Sequence, residues 1–490
     1  MTTTTAVPRT ANVTPGIIAD LIAIVGEENV LNRREEMLVY ECDGYVVEKS
    51  VPDVVVFPTS TEQVVEVVKR CAAEDVPFVP RGAGTSLAGG TLTVGGGIMI
   101  CLTRMKRILE VSLRDRYAIV ESGVVNLWLT RSLVGTGFHY APDPSSQSAC
   151  TIGGNIATNS GGPHTLKYGV TVNHVKGTTL VMPDGTLVET GGITEDNPGY
   201  DLTGLVVGNE GTFGIVTKAV VNLTRDPEAG RTLLGVFDSV DSATETVSGI
   251  IAAGIVPAAL EMLDNLMIRA VEQAFAFGFP TEAGAVLIIE VDGLNAGLDR
   301  QAQAIAEIVQ AHDGTIEKAI TWQTRKEPEY LAIWKSRKSA FGAIGRLSPT
   351  YCTQDGVVPR TKLPQILRFI TQVGQRHQLR IANVFHAGDG NIHPILLFDE
   401  RDADQVQRVF RASHEILDEC IALGGSVTGE HGIGVEKMEF MPKLFSPEDL
   451  AAMIALRTTF NPAGRCNPFK MLPGGAGCIE RKSPGRAAPA

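Results

Sequence analysis

Residues 141–162 read APDPSSQSACTIGGNIATNSGG. Over these 22 residues there is neither the period of an amphipathic helix nor the alternation of a strand. A stretch of that length without periodic structure inside a compact domain is usually functional. Ser, Thr and Asn side chains alternate with Gly-Gly pairs, which offers many donors at low steric cost. Ile152, Ile156 and Ala157 supply apolar anchors for which a solvated linker has no use. The stretch reads as a ligand-facing loop.

Upstream of it the pattern is α/β. Residues 16–50 read as a helical lead-in. VVVF (54–57) reads as a buried strand and Thr61 as the cap of a helix running to about Asp75, with Val64, Val65, Val68 and Cys71 on one face. The strand PFVP (77–80) leads into Arg81-Gly82-Ala83-Gly84-Thr85-Ser86, where successive backbone N–H groups can form a nest for a pyrophosphate. Leu87 stands where a nicotinamide-binding G-x-G-x-x-G would carry Gly or Ala, so that reading is rejected. Downstream, VKGTTLVMPDGTLVET (175–190) predicts a hairpin turning at Asp184-Gly185, and GNEGTFGIVTKAVVNL (208–223) a loop feeding a long strand.

The break TRDPEAG (224–230) separates this part from a second rhythm of strands and helices at short spacing, an α+β meander of ferredoxin-like type. The expected organisation is a tail and lead-in over 1–50, a first domain over 51–228, a second over 229–472 and a loose tail over 473–490. The last long helix is expected at 402–423, ahead of the loop SVTGEHGIGVEK.

Glycine makes up 52 of the 490 residues, against an average of about 7%. Without a G-X-Y period, the excess signals tight turns and close backbone approach. The net charge of −12 and the absence of a Lys/Arg block argue against a nucleic-acid partner. The eight cysteines form no CxxC pair, which fits a reduced, cytoplasmic setting and a chain with no iron–sulfur cluster of its own. No run approaches the ~18 apolar residues of a membrane span.

A second cluster of chemistry lies in HAGDGNIH, where His386 and His393 flank a tight turn, and in TGEHGIG, which carries Glu430 and His431. Two histidines and a carboxylate recur as a ligand set for a divalent metal with positions left open. Three of the chain's nine histidines in two glycine-dense loops point to one shared site. In Trp334-Lys335-Ser336-Arg337-Lys338, Arg337 is a candidate for bidentate capture of a carboxylate, against the plainer reading of a solvated basic face.

In order along the chain, PRGAGTSLAGG, PDPSSQSACTIGGNIATNSGGPHTLKYGVT, GNEGTFGIVTKA, FHAGDGNIHP, GEHGIG and FNPAGRCNPFKMLP resemble segments of the FAD-linked D-2-hydroxyacid dehydrogenases. These have the vanillyl-alcohol-oxidase (PCMH) type fold and include the flavin subunit of bacterial glycolate oxidases. The resemblance covers about residues 16–472. It implies an α+β architecture, a two-part FAD-binding domain plus a ferredoxin-like substrate or cap domain. It implies that Arg81, Gly82, Ala83, Gly84, Thr85 and Ser86 cradle the FAD pyrophosphate. Pro142, Asp143, Thr151, Gly154, Asn155, Thr158 and Gly161 would line the flavin. Glu210, Gly211, Gly214 and Ile215 would complete the pyrophosphate and adenosine end, and Asn467 would return to the flavin. FAD is expected to be non-covalent, because the 81–86 loop has no histidine.

The resemblance further implies that His386, His393 and Glu430 hold zinc or manganese, that His431 is the general base and that Arg337 holds the carboxylate of a small hydroxyacid. Phe341 and Thr353, with no evident lysine for a second carboxylate, tilt the substrate towards glycolate or D-lactate. The implied partners are an iron–sulfur subunit and a second flavin-type subunit, through which the chain would sit peripherally on a membrane. A stand-alone D-lactate or D-2-hydroxyglutarate dehydrogenase is the alternative. A non-catalytic flavin-binding subunit is a remote one, because it would carry a degraded metal site.

Overall fold

Thr14 caps the first helix, Pro15–Val25, accepting from the Ile17 N–H at 3.4 Å, and Ile17, Leu21 and Val25 fall on its buried face. The computed structural model describes residues 11–194 and 198–473; the expected tails lie mostly outside these. The lead-in is less helical than its sequence suggested. Val30–Leu31 instead pairs antiparallel with Val55–Val56 and adds a strand to the first sheet.

That sheet runs in the order Val30–Leu31, Val54–Val56, Ile98–Cys101, Phe78–Arg81, its last three strands parallel. The helix Thr61–Ala73 covers it, burying Val64, Val65, Val67, Val68 and Cys71. Ser60, not Thr61, is its cap, accepting from Gln63 N–H at 3.3 Å; the Thr61 hydroxyl instead bonds Thr217 at 3.0 Å. Residues 82–97 form no helix, in keeping with the rejected nicotinamide fingerprint.

A second, antiparallel sheet has the order Ile108–Ser112, Tyr117–Glu121, Ile215–Asn222, Val175–Val181, Leu187–Gly191. Val181 and Ile215 join the apolar core of the first sheet, so the two sheets form one domain.

Residues 141–162 are not wholly irregular. Ile152–Thr158 is a short helix whose cap, Thr151, accepts from Gly154 N–H at 3.2 Å. Two adjacent glycines make a poor helix in isolation. Here Ile152 and Ile156 pack with Val120, Leu129 and Ala219, and tertiary burial overrides propensity.

The second domain is built on an antiparallel sheet of nine strands. Its first four strands, Ala229–Phe237, Ala259–Asp264, Ala285–Gly293 and Thr315–Trp322, lie in the spatial order fourth, first, third, second, as in a ferredoxin-like unit. Both faces are covered. Helices Val240–Ala252, Leu298–Ala311 and Leu363–His377 pack on one, Asn265–Phe275 and Pro328–Lys338 on the other. The strand Arg380–His386 extends the sheet alongside Ala259–Asp264. A helix the sequence reading did not include, Pro447–Phe460, starts at a capping box of Ser446 and Asp449. The chain then returns to the first domain: Phe78 N–H donates to Arg465 O at 3.0 Å, and Asn467 N–H to Phe78 O at 2.8 Å.

Candidate active site

A cavity of about 340 Å³ runs between the two domains. Its floor comes from the first domain: Arg81 and Gly82–Ser86, then Ser145, Ser146, Thr151, Gly154, Asn155 and Thr158, then Glu210, Gly211, Gly214 and Ile215. From the second domain it receives Lys338, Phe341, Tyr351, His393, Glu430 and His431.

Several residues expected at the cofactor stand elsewhere. Pro142 and Asp143 are not in the wall. The Pro142 carbonyl accepts from Asn126 Nδ2 at 2.9 Å, and Asp143 Oδ2 meets His164 Nδ1 at 2.9 Å and Lys338 Nζ at 3.1 Å. Gly161 also lies outside it, its N–H donating to Glu430 Oε2 at 3.1 Å. Asn467 acts as a bolt, its Nδ2 donating to Glu210 O at 2.6 Å and Gly90 O at 3.0 Å. Arg81 lines the cavity, but its Nη1 is spent on Cys42 O and Thr91 Oγ1, each at 2.9 Å.

At the far end two histidines face one carboxylate oxygen. Glu430 Oε1 is 3.3 Å from His386 Nε2 and 3.3 Å from His393 Nε2. Their rings stand nearly perpendicular at 89°, and one donor atom from each of the three residues falls within a 4.8 Å span. Burial alone would lower the His386 pKa, but the carboxylates of Glu261 and Glu430 hold it well above the ordinary histidine value. Burial would raise Glu430, and the two imidazoles hold it well below the usual carboxylate range. His431 stacks on His393 at 5.1 Å, 7° from parallel. Burial, with help from His393 and Lys437, lowers its pKa to about 4 against the pull of Asp355. His431 is therefore a neutral imidazole near pH 7.

Three acidic or basic groups that the sequence reading left out organise this end. Glu261, in the apolar-looking strand ALEMLD, is fully buried; its Oε1 meets His386 Nδ1 at 2.7 Å and its Oε2 accepts from Arg337 Nε at 2.6 Å. Asp355 Oδ2 gathers the loop that carries Glu430, accepting from Thr428 Oγ1 at 2.6 Å and from the N–H groups of Gly429, Glu430 and His431 at 2.9, 3.1 and 2.8 Å. Lys338, one residue on from the expected arginine, is the lysine that the second domain brings to the cavity wall. Arg337 itself is 0% exposed and is not one of the residues of the wall, with Nη1 and Nη2 unbonded among the described residues. A charged residue breaking an apolar strand was the available signal for Glu261, since a buried carboxylate needs a partner. For Lys338 against Arg337 the deciding fact is helix phase, which a one-residue error reverses.

The cavity fits a flavin dinucleotide in its own chemistry. It is glycine-rich, and Ser86 Oγ, Ser122 Oγ and Asn209 Oδ1 in its wall are buried without a hydrogen-bond partner among the described residues. At the other end, two imidazole nitrogens and a carboxylate oxygen are a donor set for a divalent cation.

Both domains are similar to known proteins. Residues 52–191 match the family described as FAD binding domain, and residues 226–471 the one described as FAD linked oxidases, C-terminal domain. The chain is 41% identical over 451 residues to the glycolate oxidase subunit GlcD of Escherichia coli K12, covering 92% of this chain and 90% of that one. It is 40% identical to the Bacillus subtilis subunit of the same name, covering 94% and 97%. It is 32% identical to the mitochondrial D-lactate dehydrogenase (cytochrome) of Arabidopsis thaliana, covering 86% and 74%. In fold it is similar to p-cresol methylhydroxylase, with a TM-score of 0.79 at 16% identity over 95% of this chain and 98% of that one.

Proposed function

We propose, from the premise that this chain belongs to the FAD-linked oxidases, that it oxidises glycolate or D-lactate to the 2-oxoacid. FAD-linked hydroxyacid oxidation follows from the family and the relatives; the choice of acid, the metal and the residue roles are our reading. The observation that carries it is that His393, Glu430 and His431 line the cavity while His386 joins His393 and Glu430 in one donor cluster behind them.

FAD, when bound, supplies a hydride acceptor at N5. The glycine-rich floor and the unpartnered Ser86 hydroxyl support a pyrophosphate there, and the 82–91 loop, with neither His nor Cys, supports non-covalent binding. His386, His393 and Glu430 would hold zinc or manganese, which lowers the pKa of a bound hydroxyl as a Lewis acid. The neutral His431 imidazole takes the proton from the substrate hydroxyl oxygen. The two free nitrogens of Arg337 hold the carboxylate. Phe341 and Tyr351 exclude water from the reacting end. Lys338 is already engaged by Asp143, which favours a monocarboxylate over a dicarboxylate.

The relatives from Escherichia coli and Bacillus subtilis are named as subunits, and the chain is read here as one member of a complex. Its partners would be an iron–sulfur subunit and a second flavin-type subunit. No described helix is long and apolar enough to cross a membrane. A cytoplasmic location with peripheral attachment through those partners completes the reading.

The test is anaerobic flavin bleaching against glycolate, D-lactate and D-2-hydroxyglutarate, with metal analysis of the same sample. Bleaching by the first two, about one divalent metal per chain, and loss of bleaching with FAD retained in His431→Ala are expected. Bleaching by D-2-hydroxyglutarate alone would reverse the choice of substrate, and unchanged bleaching in His431→Ala would refute the base.

A further inference from the structure

The loop that carries Glu430 and His431 is held by two buried carboxylates, one from each domain. Asp355 of the second domain takes the N–H groups of residues 429–431. Glu210 of the first domain takes the next pair. Its Oε1 accepts from Ile433 N–H at 2.6 Å and its Oε2 from Gly434 N–H at 2.8 Å. Both oxygens are thus committed to backbone of the other domain, although Glu210 lies in the cavity wall. A carboxylate turned towards a pyrophosphate would repel it; here the charge is turned onto amides.

The approach is built for this contact. Gly432 has φ +86°, a conformation that favours glycine, and a Cβ there would stand 2.7 Å from Glu210 Oε1 and press on the carboxylate that holds the loop. Glu210 is itself left-handed, φ +52°, a conformation costly for a residue with a side chain. Its carbonyl is bolted by Asn467 Nδ2 at 2.6 Å. Beside it Val435 N–H donates to Ala88 O at 2.9 Å, and Gly161 N–H fixes the second oxygen of Glu430 at 3.1 Å.

We propose that Glu210 is a positioning residue, an interdomain clasp that seats the 428–434 loop on the flavin domain and so fixes Glu430 as the third ligand of the metal site. The inference rests on the metal reading given above. Groups that orient metal ligands typically change metal affinity about 10–100-fold when removed. In FAD-loaded protein, Glu210→Ala should keep flavin at one per chain and weaken Zn²⁺ by that factor, measured by competition with a chromogenic chelator. Amide exchange should speed up at Ile433 and Gly434 while 429–431, held by Asp355, stay protected. Glu210→Gln keeps one acceptor oxygen, should fall between, and carries the test if the alanine variant does not fold.

Wild-type Zn²⁺ affinity in Glu210→Gln overturns the proposal, whether or not exchange at 433–434 changes. Loss of flavin with metal affinity intact also overturns it, in favour of a cofactor contact. A wild-type protein that binds neither Zn²⁺ nor Mn²⁺ sinks the metal reading instead. The clasp itself then stands or falls on the exchange data alone.

Discussion

Glu261 is engaged on both oxygens: the Arg337 guanidinium donates to one and the His386 imidazole meets the other. Both side chains of the Arg337–Glu261 pair are 0% exposed. Glu261→Gln should leave the buried guanidinium uncompensated and cost about 3–5 kcal/mol, read from the midpoint of urea unfolding at unchanged slope. A loss under about 1 kcal/mol would mean that solvent or another group already balances Arg337. At this scale the sequence revealed the conspicuous donors and hid their supports. His386, His393, Glu430 and His431 stand in glycine-dense motifs that advertise a site. Glu261 and Asp355 lie in or beside ordinary strands, and their importance comes from pairings across more than 70 residues of chain.

The short helix Ile152–Thr158 brings the flavin cavity close to the second sheet. A Cβ on Gly153 would stand 2.6 Å from Ser122 Cβ and 3.0 Å from Ser122 O, with no flexible tip to move aside. Gly153→Ala should therefore push the helix off its strand, costing about 1–3 kcal/mol and weakening FAD retention. Gly342, in the helix Ala340–Ile344, has an ordinary φ, and an added methyl group there would meet nothing within 4 Å. Gly342→Ala should be neutral or stabilise by up to about 1 kcal/mol. Paired melting curves and flavin absorbance check both; equal effects would contradict the packing argument. Elements with long apolar periods, such as 61–73 and 403–422, were legible within a few residues. The 152–158 helix was not, because its order comes from one threonine cap and two buried isoleucines rather than from a repeat. Pro447–Phe460 shows the opposite case: its S-P-E-D start is a readable signal that the sequence reading passed over.

Across the whole molecule, the domains meet at a charged seam. Asp143, His164, Lys167 and Tyr168 come from the first, Glu290, Asp292, Arg325 and Lys338 from the second. Lys167 pairs with Asp292, and His164 Nε2 lies 3.4 Å from Glu290 Oε1. Burial opposes the charge of His164, but Asp143 and Glu290 together raise its pKa from 6.5 to about 9. A raised folded-state pKa stabilises fully below the unfolded value and loses that contribution as pH climbs through the folded one. The seam should thus contribute roughly 3 kcal/mol below about pH 6.5 and relinquish it by about pH 9. Thermal melts of wild type and His164→Gln should differ most at the acidic end of that window and converge at the alkaline end. A gap constant with pH would mean that packing against Trp334, not charge, is what His164 supplies.

The return of the chain to its first sheet also sets an order of events during synthesis. Phe78–Arg81 lies at the edge of that sheet, and residues 465–467 close its outer side. Asn467 also secures the carbonyl of Glu210, at the wall of the flavin cavity. A nascent chain that has emerged only through the first domain therefore has an open sheet edge and an unfinished cofactor slot. Completion of the slot is tied to the emergence of residues 465–467, and until then the uncovered edge is a place where other strands can add.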